Sequence, residues 1–223
     1  MTDGRPGVVR IDPSDPPADG RARLVLGLDQ DPGEIDRALG SDPLLAPLVD
    51  ALPRLRVAGA WDGFELAVRA VLGQQVSVAA GRGLAERLAL RRGEPLPQPA
   101  GSLERLFPTP AALAAAEITG MPASRARALG ALAAAVAGGL VIDERQDLET
   151  ARAALLELPG IGPWTVEYVA MRALRDPDAF PAGDLVLRNA LGGIGAHQLL
   201  ARAEAWRPWR AYAAMHLWTS LSQ

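Results

Sequence analysis

The sequence predicts a mainly α-helical protein that opens on a short irregular or β-prone segment. Beyond about residue 30 the apolar residues recur at helical rather than alternating spacing. Most of these apolar runs are preceded by an Asp or Thr suited to capping a helix, often with Pro in the first turn, and they end on Gly or Pro. The opening GRPGVVRIDPSDPPADG differs, with a β-prone run from Val8 to Ile11 followed by a Pro- and Asp-rich stretch that reads as a tail.

Taken in order, Arg21 to Leu28 reads as a short helix. Pro32 to Leu39 follows an Asp31 cap, and Pro43 to Ala51 follows Asp42. Gly63 to Leu72 follows Asp62, with Phe64, Leu66, Ala67 and Val71 as its apolar stripe. Val76 to Ala89 reads as an Ala-rich helix and Gly93 to Pro99 as a loop. Thr109-Pro110 opens the next helix, and Ser124 to Ala137 ends on Gly138-Gly139. Thr150 to Leu158, Trp164 to Leu174, Leu185 to Leu191, Ala196 to Trp206 and Trp209 to Leu221 complete the set.

Composition removes several chemistries. Of 223 residues, 49% are hydrophobic, enough for a core. No apolar run approaches the roughly 20 residues of a membrane span, and no signal peptide is legible, so a cytoplasmic protein is expected. Cysteine is absent, which excludes thiol nucleophiles, disulfides and cysteine-held clusters. All 23 basic residues are arginine, so no lysine can form a Schiff base or serve a P-loop. The net charge of −3 gives no hint of nucleic-acid binding, but it is unevenly spread. Residues 1–62 carry 7 Arg against 11 acids, and residues 151–223 carry 7 against 6.

The most informative stretch is LLELPGIGPWTVEYVAMRAL, residues 155–174. One helix stops at Pro159-Gly160 and another starts just after Gly162-Pro163. Two glycines two apart permit a tight turn whose exposed amides suit a phosphate. By spacing alone this is equally an ordinary αα-hairpin.

This hairpin is followed by FPAGDLVLRNAL and then AWRPWRAYAAMHLW, and preceded by DGFELAVRAVLGQQVSVAA and FPTPAALAAAEITGMPASRARALGALAAA. In that order the segments resemble the bacterial 3-methyladenine DNA glycosylase II family of the helix-hairpin-helix superfamily, from about residue 24 to the end. The resemblance implies two helical lobes with a cleft between them. Residues 63–176 would form the lobe with the hairpin, and 39–62 plus 177–223 the lobe carrying the catalytic aspartate. Residues 1–38 would be the remnant of an α/β domain that precedes the helical body in relatives. It further implies a monofunctional glycosylase that flips and hydrolytically excises alkylated, cationic bases such as 3-methyladenine and 7-methylguanine. The implied partner is double-stranded DNA carrying such bases, engaged by a monomer without a catalytic cofactor.

Asp184 matches the family's catalytic aspartate. Its plain reading is a helix cap, and the two roles are compatible. An anion there stabilises an oxocarbenium-like sugar and can activate water. Asp176 and Asp178 are weaker candidates, since an RDPD sequence explains itself as a turn. Bifunctional relatives carry a lysine two residues after the second hairpin glycine. That position here is Trp164.

Trp164, Tyr168 and Trp218 match the family's base-pocket aromatics, with core packing as the plain alternative. Trp164 and Tyr168, four apart, are expected to form two walls of a slot. An electron-rich slot favours a cationic base. Gln75, in the Gln74-Gln75 loop, matches the residue that fills the gap left by the flipped base, where a better-known relative has an apolar wedge. Gly160 and Gly162 would face a DNA phosphate, with Arg210 and Arg172 as further phosphate candidates. The resemblance also implies a structural monovalent or divalent cation held by the backbone carbonyls of Leu156, Leu158 and Ile161. Of the two histidines, His216 reads as structural. A second reading of the whole chain is a non-enzymatic hairpin protein that binds DNA by its backbone.

Overall fold

A computed structural model describes residues 16–101 and 103–221. The expected Val8–Ile11 strand lies outside the described residues. Within them the fold is helical, with a single small hairpin. The helices are α1 (Pro16–Leu26), α2 (Pro32–Leu39), α3 (Ala46–Ala51), α4 (Gly63–Gly73), α5 (Val78–Arg92), α6 (Pro110–Ala114), α7 (Ala123–Ala137), α8 (Leu148–Leu156), α9 (Pro163–Arg172), α10 (Leu185–Ala190), α11 (Ala196–Ala203) and α12 (Arg210–Ser220).

Local chemistry sets these boundaries. Asp31, Asp62, Ser77, Thr109 and Asp147 each accept an amide of the first turn that follows. Asp42 behaves differently from the expected cap. Its carboxylate takes the Leu44 amide in a turn, and α3 starts only at Ala46. The helix expected from Arg21 begins at Pro16, because Pro16 and Pro17 occupy the first turn, where a missing N–H costs nothing. The expected Gly93–Pro99 loop is instead the start of an antiparallel hairpin, β1 (Pro95–Ala100) and β2 (Leu103–Arg105). Alternating prolines in PLPQPA hold the chain extended and forbid a helix.

The chain divides into two compact units, Asp62–Asp184 and a second made of residues 1–61 and 185–223. The expected boundaries shift accordingly. Residues 177–184, assigned from sequence to the lobe after the hairpin, belong with 62–176, because side chains of α8 and α9 bind them directly. Asp184 is therefore the last residue of the hairpin unit. In that unit α4 is central, with Ala67, Val68, Val71 and Leu72 buried, and it packs on α5, α7 and α9. Gly63 opens α4 where a Cβ would stand 1.8 Å from the Ile142 carbonyl oxygen, so only glycine admits that approach.

In the other unit residues 16–38 group with 39–61 and 185–221. Ile35 and Leu39 are buried along with Leu45 and Val49. The Arg56 guanidinium donates to the Gly27 carbonyl at 2.6 Å. Asp42 accepts Arg202 at 2.7 Å and the Trp206 indole N–H at 2.9 Å. Burial raises the Asp42 carboxyl pKa, but these donors outweigh it and hold it below the usual range. Ala211 through Ala214, His216 and Leu217 on α12 are buried. No helix among the described residues is long and apolar enough to cross a membrane.

Candidate functional site

The hairpin joins α8 to α9. Gly160 has φ of +80° and its missing Cβ would lie 2.8 Å from the Ala128 Cβ, so conformation and packing both require glycine. Gly162 is different from expectation. Its backbone is extended at φ −99°, and a Cβ there would meet open space. Only the first glycine makes the turn; the second leaves bare backbone at the start of α9. Pro163 fills the first helical position.

On α9 the Trp164 indole N–H donates to Asp184 Oδ2 at 2.8 Å. Trp164 also stacks on Tyr168, with ring centroids 5.3 Å apart and planes 9° from parallel. A base between two rings needs two stacking distances of about 3.4 Å each. These rings are too close for that, so they form one continuous wall and not two sides of a slot. Arg172, one turn further on, places its guanidinium 5.8 Å from the Tyr168 ring centroid. It is half-buried against this wall.

The loop that delivers Asp184 is fixed by a network that sequence reasoning missed. Arg152 on α8 binds Glu167 of α9 at 2.9 Å and also pairs with Asp176. Glu167 in turn accepts the Phe180 amide at 2.9 Å, and Asp176 accepts the Asp178 amide at 2.8 Å. Burial alone would lower the Arg152 pKa, but its two carboxylates raise it above the usual range. Asp176 is thus a brace of the loop and not a catalytic candidate. The only sequence signal was the acidic RDPD turn, which does not reveal a partner 24 residues upstream.

The loop between α4 and α5 is tied to the hairpin. Gln74 donates to the Gly160 carbonyl at 3.1 Å and to buried Thr165 at 2.9 Å, while Arg125 of α7 donates to the Gln74 carbonyl at 2.6 Å. Gln75 follows at φ +57° and is exposed. A non-glycine residue in this region is strained, and such strain concentrates where a side chain must be presented.

Of the remaining expected residues, Trp218, Arg210 and both histidines belong to the other unit. Trp218 is on α12 in the other unit and half-buried. Arg210 is 9% exposed and its guanidinium faces Glu204 at 3.3 Å, so the expected phosphate role is corrected to a structural one. His216 is buried and His197 exposed. In the hairpin the Leu158 carbonyl accepts the Ile161 amide at 3.1 Å. No group of three or more His, Cys, Asp or Glu side chains able to hold a metal occurs among the described residues.

A family model for the AlkA N-terminal domain matches residues 15–62. A Mycobacterium tuberculosis protein described as a probable bifunctional transcriptional activator/DNA repair enzyme AlkA is 45% identical over 211 residues, covering 92% of this chain and 42% of that protein. DNA-3-methyladenine glycosylase 2 of Escherichia coli is 42% identical over 180 residues, covering 78% of this chain and 63% of the enzyme.

The chain is a homologue of the 3-methyladenine DNA glycosylases. It spans less than half the length of the mycobacterial relative and under two thirds of the Escherichia coli one. The fold of this homologue is that of the helix-hairpin-helix glycosylases. Schizosaccharomyces pombe 3-methyladenine DNA glycosylase Mag1 in complex with abasic DNA superposes with a TM-score of 0.72 at 25% identity, over 85% of this chain and 97% of that one. The Archaeoglobus fulgidus 3-methyladenine DNA glycosylase gives 0.77 at 24%, over 93% and 75%.

Proposed function

We propose that the chain is a monofunctional DNA glycosylase that hydrolytically removes alkylated, cationic bases from duplex DNA. The observation that carries this reading is the bond from the Trp164 indole to Asp184, in the first helical turn after a phosphate-suited hairpin. An indole N–H fixes a carboxylate without neutralising it. Ionised Asp184 then faces the sugar and stabilises positive charge at C1′ as the glycosidic bond breaks. Water adds to C1′, its proton leaves to Asp184 or solvent, and the bonding pair departs with the base. A base alkylated at N3 of adenine or N7 of guanine is already cationic, so no strong general acid is required.

DNA is held by the amides at the start of α9, approached over bare Gly162, while Gln75 enters the space vacated by the flipped base. A hairpin cation fits the carbonyls of Leu156, Leu158 and Ile161, although the Leu158 oxygen already accepts the Ile161 amide and has one lone pair left. A monovalent or divalent cation there would be held by these main-chain oxygens and would supply positive charge for a DNA phosphate. Trp164 stands where lyase relatives carry lysine, and these 223 residues contain no lysine.

The test is incubation with methylated duplex, with free base and strand integrity measured together. Release of 3-methyladenine and 7-methylguanine from an intact abasic strand is expected, faster than release of hypoxanthine or uracil. Asp184→Asn should reduce release by orders of magnitude and leave DNA binding in place. Release undiminished in that variant, or a nicked strand, overturns the assignment.

A further inference from the structure

Most arginines that carry ion pairs lie outside residues 82–127, a stretch with 7 Arg against 4 acids in a chain of net charge −3. Within it, a groove is lined by Arg87, Arg91 and Arg92 of α5, by Glu117 and by the turn Ile118–Met121 that leads into α7. Arg92 braces this turn by donating to the Glu117 carbonyl at 2.7 Å. Gly120 sits at φ +81°, and the Arg91 guanidinium comes within 3.3 Å of where its Cβ would be. Among the described residues neither Arg87 nor Arg91 forms a salt bridge, whereas Arg69, Arg145, Arg152 and Arg202 each do. Three guanidiniums against the single Glu117 carboxylate leave the groove net positive, which suits an anion from outside.

We propose that this groove is a second anchoring point for the phosphodiester backbone of duplex DNA, beyond the hairpin. The proposal rests on the reading of the chain as a duplex-binding glycosylase. Continuity within one unit favours DNA over another anion. The α7 helix that follows the groove turn also supports Gly160 through Ala128 and holds the Gln74 carbonyl through Arg125. Arg87 and Arg91 are about 6 Å apart along α5, so they face successive positions along a strand. From the start of α5 to Arg91 is about 20 Å. A duplex engaged at the Gln75 loop covers that distance in about six base pairs.

The measurement is affinity for undamaged duplex against salt concentration, for Arg87→Gln/Arg91→Gln and the unaltered chain, on a duplex with about four base pairs each side of the centre and one with about twelve. Both side chains are exposed and glutamine is a polar residue of similar helix propensity, so folding is preserved. On the long duplex the variant should bind about tenfold more weakly, with a salt slope shallower by about 2. On the short duplex the loss should stay below twofold. Equal losses on both duplexes, or an unchanged slope on the long one, overturn the proposal. So does inorganic pyrophosphate or an acidic peptide binding the groove tightly while the long-duplex slope is unchanged. Base release by the unaltered chain from a short methylated duplex is scored separately, so failure of the anchoring point is distinguishable from failure of the glycosylase reading.

Discussion

A carboxylate that must stay charged needs a donor that orients it without supplying a full positive charge. In the proposed reaction Trp164 would meet that need for Asp184, where an arginine would form a salt bridge competing with the developing cation on the sugar. Trp164→Phe keeps a stacking ring and deletes only the donor. A hydrogen bond to a charged group contributes about 1.5–3 kcal/mol, so single-turnover base release should fall by about 10- to 100-fold. Affinity for duplex should change by less than about threefold. Rapid-quench release measured beside equilibrium binding checks this, and an unchanged rate would reduce Trp164 to packing. The residues of this contact were legible as types and as family matches. Their bond was not, because side-chain direction over 20 residues of intervening chain is decided by the loop that Arg152 and Glu167 hold.

The elements were legible where capping and proline chemistry act locally. Asp62, Thr109 and Gly138-Gly139 mark their boundaries in the sequence as they do in the fold. The β hairpin was not, since prolines report only what a segment cannot be, and strand pairing needs a partner beyond the turn. The slot attributed to Trp164 and Tyr168 failed for a related reason. Spacing of four places side chains on one face, and whether they stand apart or stack depends on rotamers. At the hairpin itself Gly160→Ala faces both a left-handed backbone and the Ala128 Cβ. The backbone conformation alone costs about 1–2 kcal/mol. Thermal unfolding should shift down by about 5 °C with weaker DNA binding. Gly162→Ala, extended and uncrowded, should leave the melting temperature nearly unchanged.

Across the whole molecule the division into units was read approximately. The error at 177–184 came from taking the aspartate as part of the helix it precedes, when the Arg152 and Glu167 bonds anchor its loop to α8 and α9. Stability of the other unit should carry a pH signature from His216 on α12. Burial lowers its pKa below 6.5, against the opposing influence of Asp36 and the Leu48 carbonyl. The unfolded chain then binds a proton that the folded one resists. Stability is retained above about pH 6.5 and lost as pH falls from there towards the folded-state value. Melting curves from pH 8 to 5.5 should show this loss, and His216→Gln should flatten it. The two units also share one device: each commits the indole N–H of one tryptophan to a carboxylate, Trp206 to Asp42 and Trp164 to Asp184. Indole emission is sensitive to such a neighbour, so the molecule carries a native optical label in each unit. Trp206 is buried and reports folding, while half-buried Trp164 reports arrival at the carboxylate it touches.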